Sequence, residues 1–269
     1  MEIELKPQRY KEVIAHYDVA CGYGPQLLAA QKAFGRAGNI IDTELNAAGV
    51  VKRSVFSETE CAEINAKFAA GLRQEFDRDV TIQLFKRIFA TDIDKDIISY
   101  FGSEYFPIGS DFYETPVDET LRESDGWHCD AGPSKHLIMA AYFTPSEADA
   151  ANTIFLNKEI THYMKEAGYV FCNIQHRITH FDVLTDAMSL PRVPVNALEI
   201  KAGDVVVFDA PNLLHRRLIP KIAPRRLMMT ALCPSFKPWV EVVENSNFPL
   251  PLDGETFPPL PGYAQESAS

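Results

Sequence analysis

The stretch Gly126-Trp127-His128-Cys129-Asp130-Ala131 places an imidazole and a carboxylate two residues apart, between a polar loop and an apolar run. On an extended strand, side chains at i and i+2 leave the same face, so His128 and Asp130 project together while Cys129 points the other way. An imidazole nitrogen and a carboxylate oxygen, completed by a second imidazole, make a 2-His-1-carboxylate facial triad, which leaves three positions of an octahedral Fe(II) open for chemistry. The pair alone decides little, because the chain holds a second one, His180-Phe181-Asp182. A third ligand must decide, and the candidate is His215. It closes the run Gly203-Asp204-Val205-Val206-Val207-Phe208-Asp209-Ala210-Pro211-Asn212-Leu213-Leu214-His215. Gly203-Asp204 signals a turn, Val205 to Phe208 a buried strand and Ala210 to Asn212 a break, with the histidine at the rim. Pro224-Arg225-Arg226 then opens a further apolar run, Leu227 to Leu232.

Trp-His-x-Asp, a Gly-Asp-Val-Val-Val-Phe strand, a distal His and then an Arg together resemble the Fe(II)/2-oxoglutarate-dependent dioxygenases, especially their phytanoyl-CoA hydroxylase-like branch. The match covers residues 120 to 235. The resemblance implies a mainly β fold with flanking helices: a double-stranded β-helix (jelly-roll, cupin-like) core with an N-terminal helical cap. In that family the distal histidine lies several strands after the His-x-Asp. The chain from Asp130 to His215 has room for them, whereas the chain from Asp182 to His215 is less than half as long. His180 and Asp182 are therefore read as loop residues, and His128, Asp130 and His215 as the ligands.

The resemblance also implies the cosubstrates. 2-Oxoglutarate chelates Fe(II) through its C1 carboxylate and keto oxygen, its C5 carboxylate reaches a basic side chain, and O2 takes the remaining position. The expected reaction is hydroxylation of a small-molecule metabolite or natural-product intermediate with release of succinate and CO2. A guanidinium meets a carboxylate with two parallel hydrogen bonds, which Lys does not reproduce. Arg225 stands ten residues past His215, a family spacing, and is the expected partner. Arg226 faces the opposite side of the same strand, so the choice between them turns on parity. The Asp130 carboxylate closes the position where related halogenases carry a small residue, which argues against halogenation. Desaturation, demethylation or epimerisation would run on the same iron site. Two other classes stand as rivals: a cupin-type metal enzyme that does not use 2-oxoglutarate, which would give the Arg no role, and a non-catalytic jelly-roll protein, which would lack a ligand or the cosubstrate cation.

Composition bounds these expectations. The chain has 269 residues, 46% hydrophobic and 23% charged, ordinary values for a chain that folds around a sizeable core. We expect a single dioxygenase domain, with residues 1–104 mostly helical, 105–235 the jelly-roll core and 236–269 a Pro-rich C-terminal tail. A net charge of −11 with no basic run longer than a pair opposes nucleic-acid binding. Arg216 and Arg217 are read as solvated rim charges. Five cysteines without CxxC spacing fit reduced thiols in the cytoplasm. The N-terminus shows neither a basic n-region nor an apolar h-region, and no apolar run is long enough for a membrane span. Nothing in the sequence assigns an oligomeric state.

The elements that must position the ligands follow from local signals. Pro25 to Phe34 and Ile40 to Ala48 read as helices; Tyr23, between two glycines, is a candidate lid residue, though a loop aromatic tucked on the core is the commoner case. Gly49 to Arg53 reads as a strand. Ser57 with Glu60 forms a capping box for a helix to about Leu72, and Thr91-Asp92 starts another to Tyr100. Tyr105 to Tyr113, Leu137 to Phe143, Asn152 to Leu156 and Tyr169 to Ile174 read as strands, with a helix at Ile160 to Ala167. Residues 157–195, with His162, His176, His180 and Asp182, fit the family least well and read as a pocket-shaping insert or an elaborated loop. Trp127 and Cys129 are expected to pack in the core, and Asp209 is read either as an acceptor orienting His215 or, equally, as a turn residue.

Overall fold

The computed structural model describes residues 11–12, 15–35, 43–71, 76–117, 125–145, 152–169, 177–180, 182, 185–186, 189, 196–245, 260–261 and 263. After a π-helical turn at Ala15–Ala20, the N-terminal region forms helix α1 (Tyr23–Ala33), α2 (Glu44–Ala48), strand β1 (Val50–Ser54), and helices α3 (Glu58–Ala69), α4 (Arg78–Phe89) and α5 (Asp92–Phe101). The capping box at α3 is complete: the Ser57 hydroxyl accepts from Glu60 N, and the Glu60 carboxylate accepts from Ser57 N. Thr91 caps α5. Helix α4 has no counterpart in the element-by-element expectation; Asp77 caps it, and Ile82, Phe85, Ile88 and Phe89 form its buried stripe. Helix α2 is shorter than the expected Ile40–Ala48, whose residues 40–42 lie outside the described set.

Eight strands are described in all, and those after β1 are β2 (Glu104–Thr115), β3 (Leu137–Tyr142), β4 (Thr153–Phe155), β5 (Asn196–Ala197), β6 (Asp204–Phe208), β7 (His215–Arg217) and β8 (Arg225–Ser235). Helix α6 (Lys158–Glu166) follows β4, and α7 (Trp239–Asn245) follows β8. The strands form a five-stranded antiparallel sheet in the order β1-β6-β3-β8-β2 and a three-stranded one in the order β5-β4-β7. Residues 170–174 of the expected Tyr169–Ile174 strand, and most of the C-terminal tail, lie outside the described residues.

Strand alternation sorts the large sheet's side chains into two layers. Val51, Leu137, Met139, Ala141, Val205, Val207, Met228 and Leu232 pack against the helices, with Phe85, Ile93, Ile97 and Phe101 among their partners. Val50, Ala140, Tyr142, Val206, Phe208 and Leu227 point the other way and meet Phe155 of the small sheet. Both faces of the large sheet are thus covered, which is why β6 is buried at all five positions and reads as a continuous apolar run. The antiparallel double-sheet sandwich with flanking helices is the expected jelly-roll.

Gly203 sets the entry into β6. Its φ of +94° is outside ordinary L-residue space, and a Cβ there would lie 2.1 Å from the Phe56 carbonyl oxygen. That approach lets Val55 and Phe56 donate to Gly203 O, tying β1 to the start of β6. Among the described residues no helix is long and apolar enough to cross a membrane.

Candidate metal centre

His128, Asp130 and His215 converge, and they are the one group of potential metal ligands found among the described residues; their donor atoms all lie within 4.8 Å of one another. His215 opens β7, whose other edge pairs with β4. The 126–131 segment reaches β7 through an isolated bridge rather than a full strand: His128 N donates to His215 O at 3.0 Å, and His215 N to His128 O at 2.9 Å. The expected alternation holds around it. Trp127 and Cys129 are buried with Ile154, Leu156, Met164 and Leu214 behind the small sheet, while His128 and Asp130 face the sandwich interior.

Both imidazoles are oriented by backbone. His128 Nδ1 lies 2.7 Å from Gly126 O and His215 Nδ1 lies 2.8 Å from Leu213 O, so each Nδ1 carries the proton and each Nε2 presents a lone pair. The Nε2 atoms stand 3.5 and 3.7 Å from the same Asp130 Oδ1. Burial, reinforced by the neighbouring His215, pushes His128 well below the usual histidine range, and burial also lowers His215. Two neutral imidazoles and one carboxylate are the protonation states a divalent cation requires. Ligands about 2.1 Å from one ion stand roughly 3.0–3.4 Å apart on neighbouring corners of an octahedron or tetrahedron, so the two His–Asp separations need only a small contraction to suit a metal. Asp130 is the most accessible of the three, at 34% side-chain exposure, which leaves one side of the cluster open.

That side faces a cavity of about 270 Å³ between the sheets. Ile138, Phe208 and Met229 supply apolar wall, and the exposed Tyr113 stands at its edge. Arg225 lines it too: it is 7% exposed, on the inner face of β8, with its guanidinium carbon 5.8 Å from the Tyr142 ring centre. Arg226 points away and donates its Nε to Glu114 at 2.7 Å. Of the two arginines, Arg225 is the one on the cavity wall.

Other expectations change. Arg217 is no rim charge. It is 8% exposed, lines the cavity, and holds Asp125 through Nε at 2.7 Å and Nη2 at 3.1 Å, with Nη1 donating to Thr115 at 3.2 Å. Its position two residues after His215 on an extended strand places it on the same inner face, a parity signal present in the sequence. Asp125 carried no such signal. Arg216 is half-buried and donates to Thr179 O. Asp209 does not orient His215, since Leu213 O does so; it instead accepts from Asn212 Nδ2 at 2.9 Å and lies 3.7 Å from Lys158 Nζ. Tyr23 is tucked on the core, the commoner of its two readings, but at the start of α1 rather than in a loop: it is 1% exposed and donates to Lys135 O. His162, His180 and Asp182 are exposed and away from the cluster, and His176 is outside the described residues.

No protein-family model matches the chain, and no curated protein does. Solved structures do. EctD from S. alaskensis with bound Fe shares 15% identity, covers 72% of this chain and 77% of its own, and superposes with a TM-score of 0.50. HygX from Streptomyces hygroscopicus with nickel and 2-oxoglutarate bound shares 12%, over 74% and 89%, with a TM-score of 0.47. SnoK, a non-heme alpha ketoglutarate dependent carbocyclase from nogalamycin biosynthesis, shares 17%, over 80% and 93%, with a TM-score of 0.47. At such identities the likeness is one of fold. In architecture the chain is a jelly-roll of the cupin type, the fold it shares with EctD.

Proposed function

We propose that the chain is a non-haem Fe(II)- and 2-oxoglutarate-dependent oxygenase that hydroxylates a small molecule. The observation that carries this is the shared cavity: two backbone-oriented imidazoles and a carboxylate converge on one part of its wall, and a buried guanidinium, Arg225, stands on another. His128 Nε2, His215 Nε2 and Asp130 Oδ1 hold the ion. When bound there, Fe(II) supplies O2 activation coupled to oxidative decarboxylation of 2-oxoglutarate to succinate and CO2, with oxidation of a substrate C–H bond. Arg225, buried beside the Tyr142 ring, receives the C5 carboxylate of 2-oxoglutarate. Ile138 and Phe208 keep the space beside the triad apolar.

Hydroxylation is the default outcome on this scaffold; desaturation, demethylation or epimerisation would follow from a different placement of substrate against the same ligands. The net charge of −11 supports a small-molecule substrate over nucleic acid. The free cysteines 21, 61, 129 and 233 support a reducing compartment, the cytoplasm.

Iron-dependent turnover tests the reading without knowledge of the substrate. Wild-type protein with Fe(II), O2 and 2-oxoglutarate is expected to release succinate slowly, and His215→Ala to release none above the iron-only background. Equal succinate release by both would remove the assignment.

A further inference from the structure

Helix α6 turns a polar stripe toward the segment that carries His215. Lys158, Thr161 and Lys165, at i, i+3 and i+7, share one helix face. Lys158 Nζ lies 3.7 Å from Asp209 Oδ2, Thr161 Oγ1 accepts from Leu214 N at 3.0 Å, and Lys165 Nζ donates to Pro211 O at 2.9 Å and to Asn212 Oδ1 at 2.7 Å. Lys165 is 4% exposed. A buried ammonium is a poor device for stability alone, because its desolvation offsets most of what its contacts return. Its geometry, by contrast, is specific. An ammonium only donates, so the atom of Asn212 facing it must be the carbonyl oxygen, and the amide NH2 must point the other way.

The two hydrogens of that NH2 have two acceptors, Ser134 O at 2.9 Å and Asp209 Oδ1 at 2.9 Å. Ser134 belongs to the turn that follows Asp130, and Asp130 N itself donates to Ala210 O at 3.0 Å. His128 and His215 are already locked to each other by their backbone bridge. What remains is to place Asp130 relative to that pair, and the Asn212 amide spans the two turns whose separation sets it. From the other side the 131–136 turn is held by Asp18, which accepts from Ser134 N at 3.0 Å, and by Tyr23.

The geometry points to Asn212, oriented by the buried Lys165, as the positioning residue that sets Asp130 against the two histidines, so that α6 is a scaffold of the metal centre rather than part of a substrate loop. This deepens the proposed function, since it rests on the triad being a metal centre.

The test is Co(II) titration of the full chain under the same conditions for each variant, reading affinity and the visible bands that report coordination. Wild type is expected to bind; if it does not, the metal-centre assignment itself fails. Given wild-type binding, Asn212→Ala and Lys165→Met are each expected to bind Co(II) about 10–100-fold more weakly with altered bands, the usual effect of losing a group that orients a ligand. Because both act through one link, the double variant should be little weaker than either single one. Ser57→Ala, which weakens a distant helix cap, should bind as wild type does and so separates positioning from general destabilisation. Should Asn212→Ala not fold, Asn212→Asp, which is isosteric and removes the two donors, takes its place. Affinity within twofold of wild type and unchanged bands in the Asn212 and Lys165 variants would overturn the inference.

Discussion

Arg225 and Arg226 adjoin in sequence yet stand in different environments, one on the cavity wall and one paired with Glu114 on the opposite face of β8. Loss of a charge-assisted contact costs about 1.5–3 kcal/mol. Arg225→Ala is therefore expected to weaken 2-oxoglutarate binding roughly 10–100-fold with metal affinity retained, and Arg226→Ala to leave it within about twofold; calorimetric titration of the metal-loaded variants distinguishes them. The Arg217–Asp125 pair makes a second residue-scale prediction. Asp125→Ala leaves a buried guanidinium without its carboxylate, and unfolding in urea should show a loss of about 3–5 kcal/mol. The pair spans 92 residues, and such a partnership leaves no trace in local pattern. The cluster was legible because strand alternation ties His128 to Asp130 over two residues, and because His215 follows a strong strand signal. For Asp209 the sequence left two readings open, an acceptor for His215 or a turn residue, and could not show the Leu213 carbonyl that orients His215.

Among the elements, length and capping helped without deciding, since the capped helix α4 of 12 residues had no counterpart in the expectation. Strands β3, β6 and β8 carry enough residues to show their apolar run, and α3 announces itself through Ser57 and Glu60. Ser57→Ala should lower stability by about 1 kcal/mol, visible as a reduced thermal midpoint. Strands β5 and β7, with two and three residues, are too short to show any period, and they exist because β4 and the His128 bridge give them partners. Gly203 is the hinge between β1 and β6. Gly203→Ala should cost at least about 1–3 kcal/mol, since the residue would carry a disfavoured φ and its Cβ would meet the rigid Phe56 backbone; a denaturation curve no different from wild type would contradict that account.

For the whole molecule, one sheet serves two cores. Its helix-facing side, packed on α3, α4 and α5, makes a rigid back wall, and its inner side with the small sheet encloses the cavity where the triad and Arg225 meet. The jelly-roll was expected from the family resemblance that the Trp-His-x-Asp, Gly-Asp-Val-Val-Val-Phe, His and Arg motifs carry, and the spacing from Asp130 to His215 only left room for it. The role of α6 was not, because its polar stripe has meaning only once the 209–214 turn lies against it. The central claim is that this cavity holds Fe(II) and 2-oxoglutarate together. Anaerobic titration of the Fe(II)-loaded protein with 2-oxoglutarate tests it most directly. A weak visible charge-transfer band should grow to saturation in the wild type and be absent in His128→Ala. Iron demonstrably bound to the wild type with no such band would contradict the account.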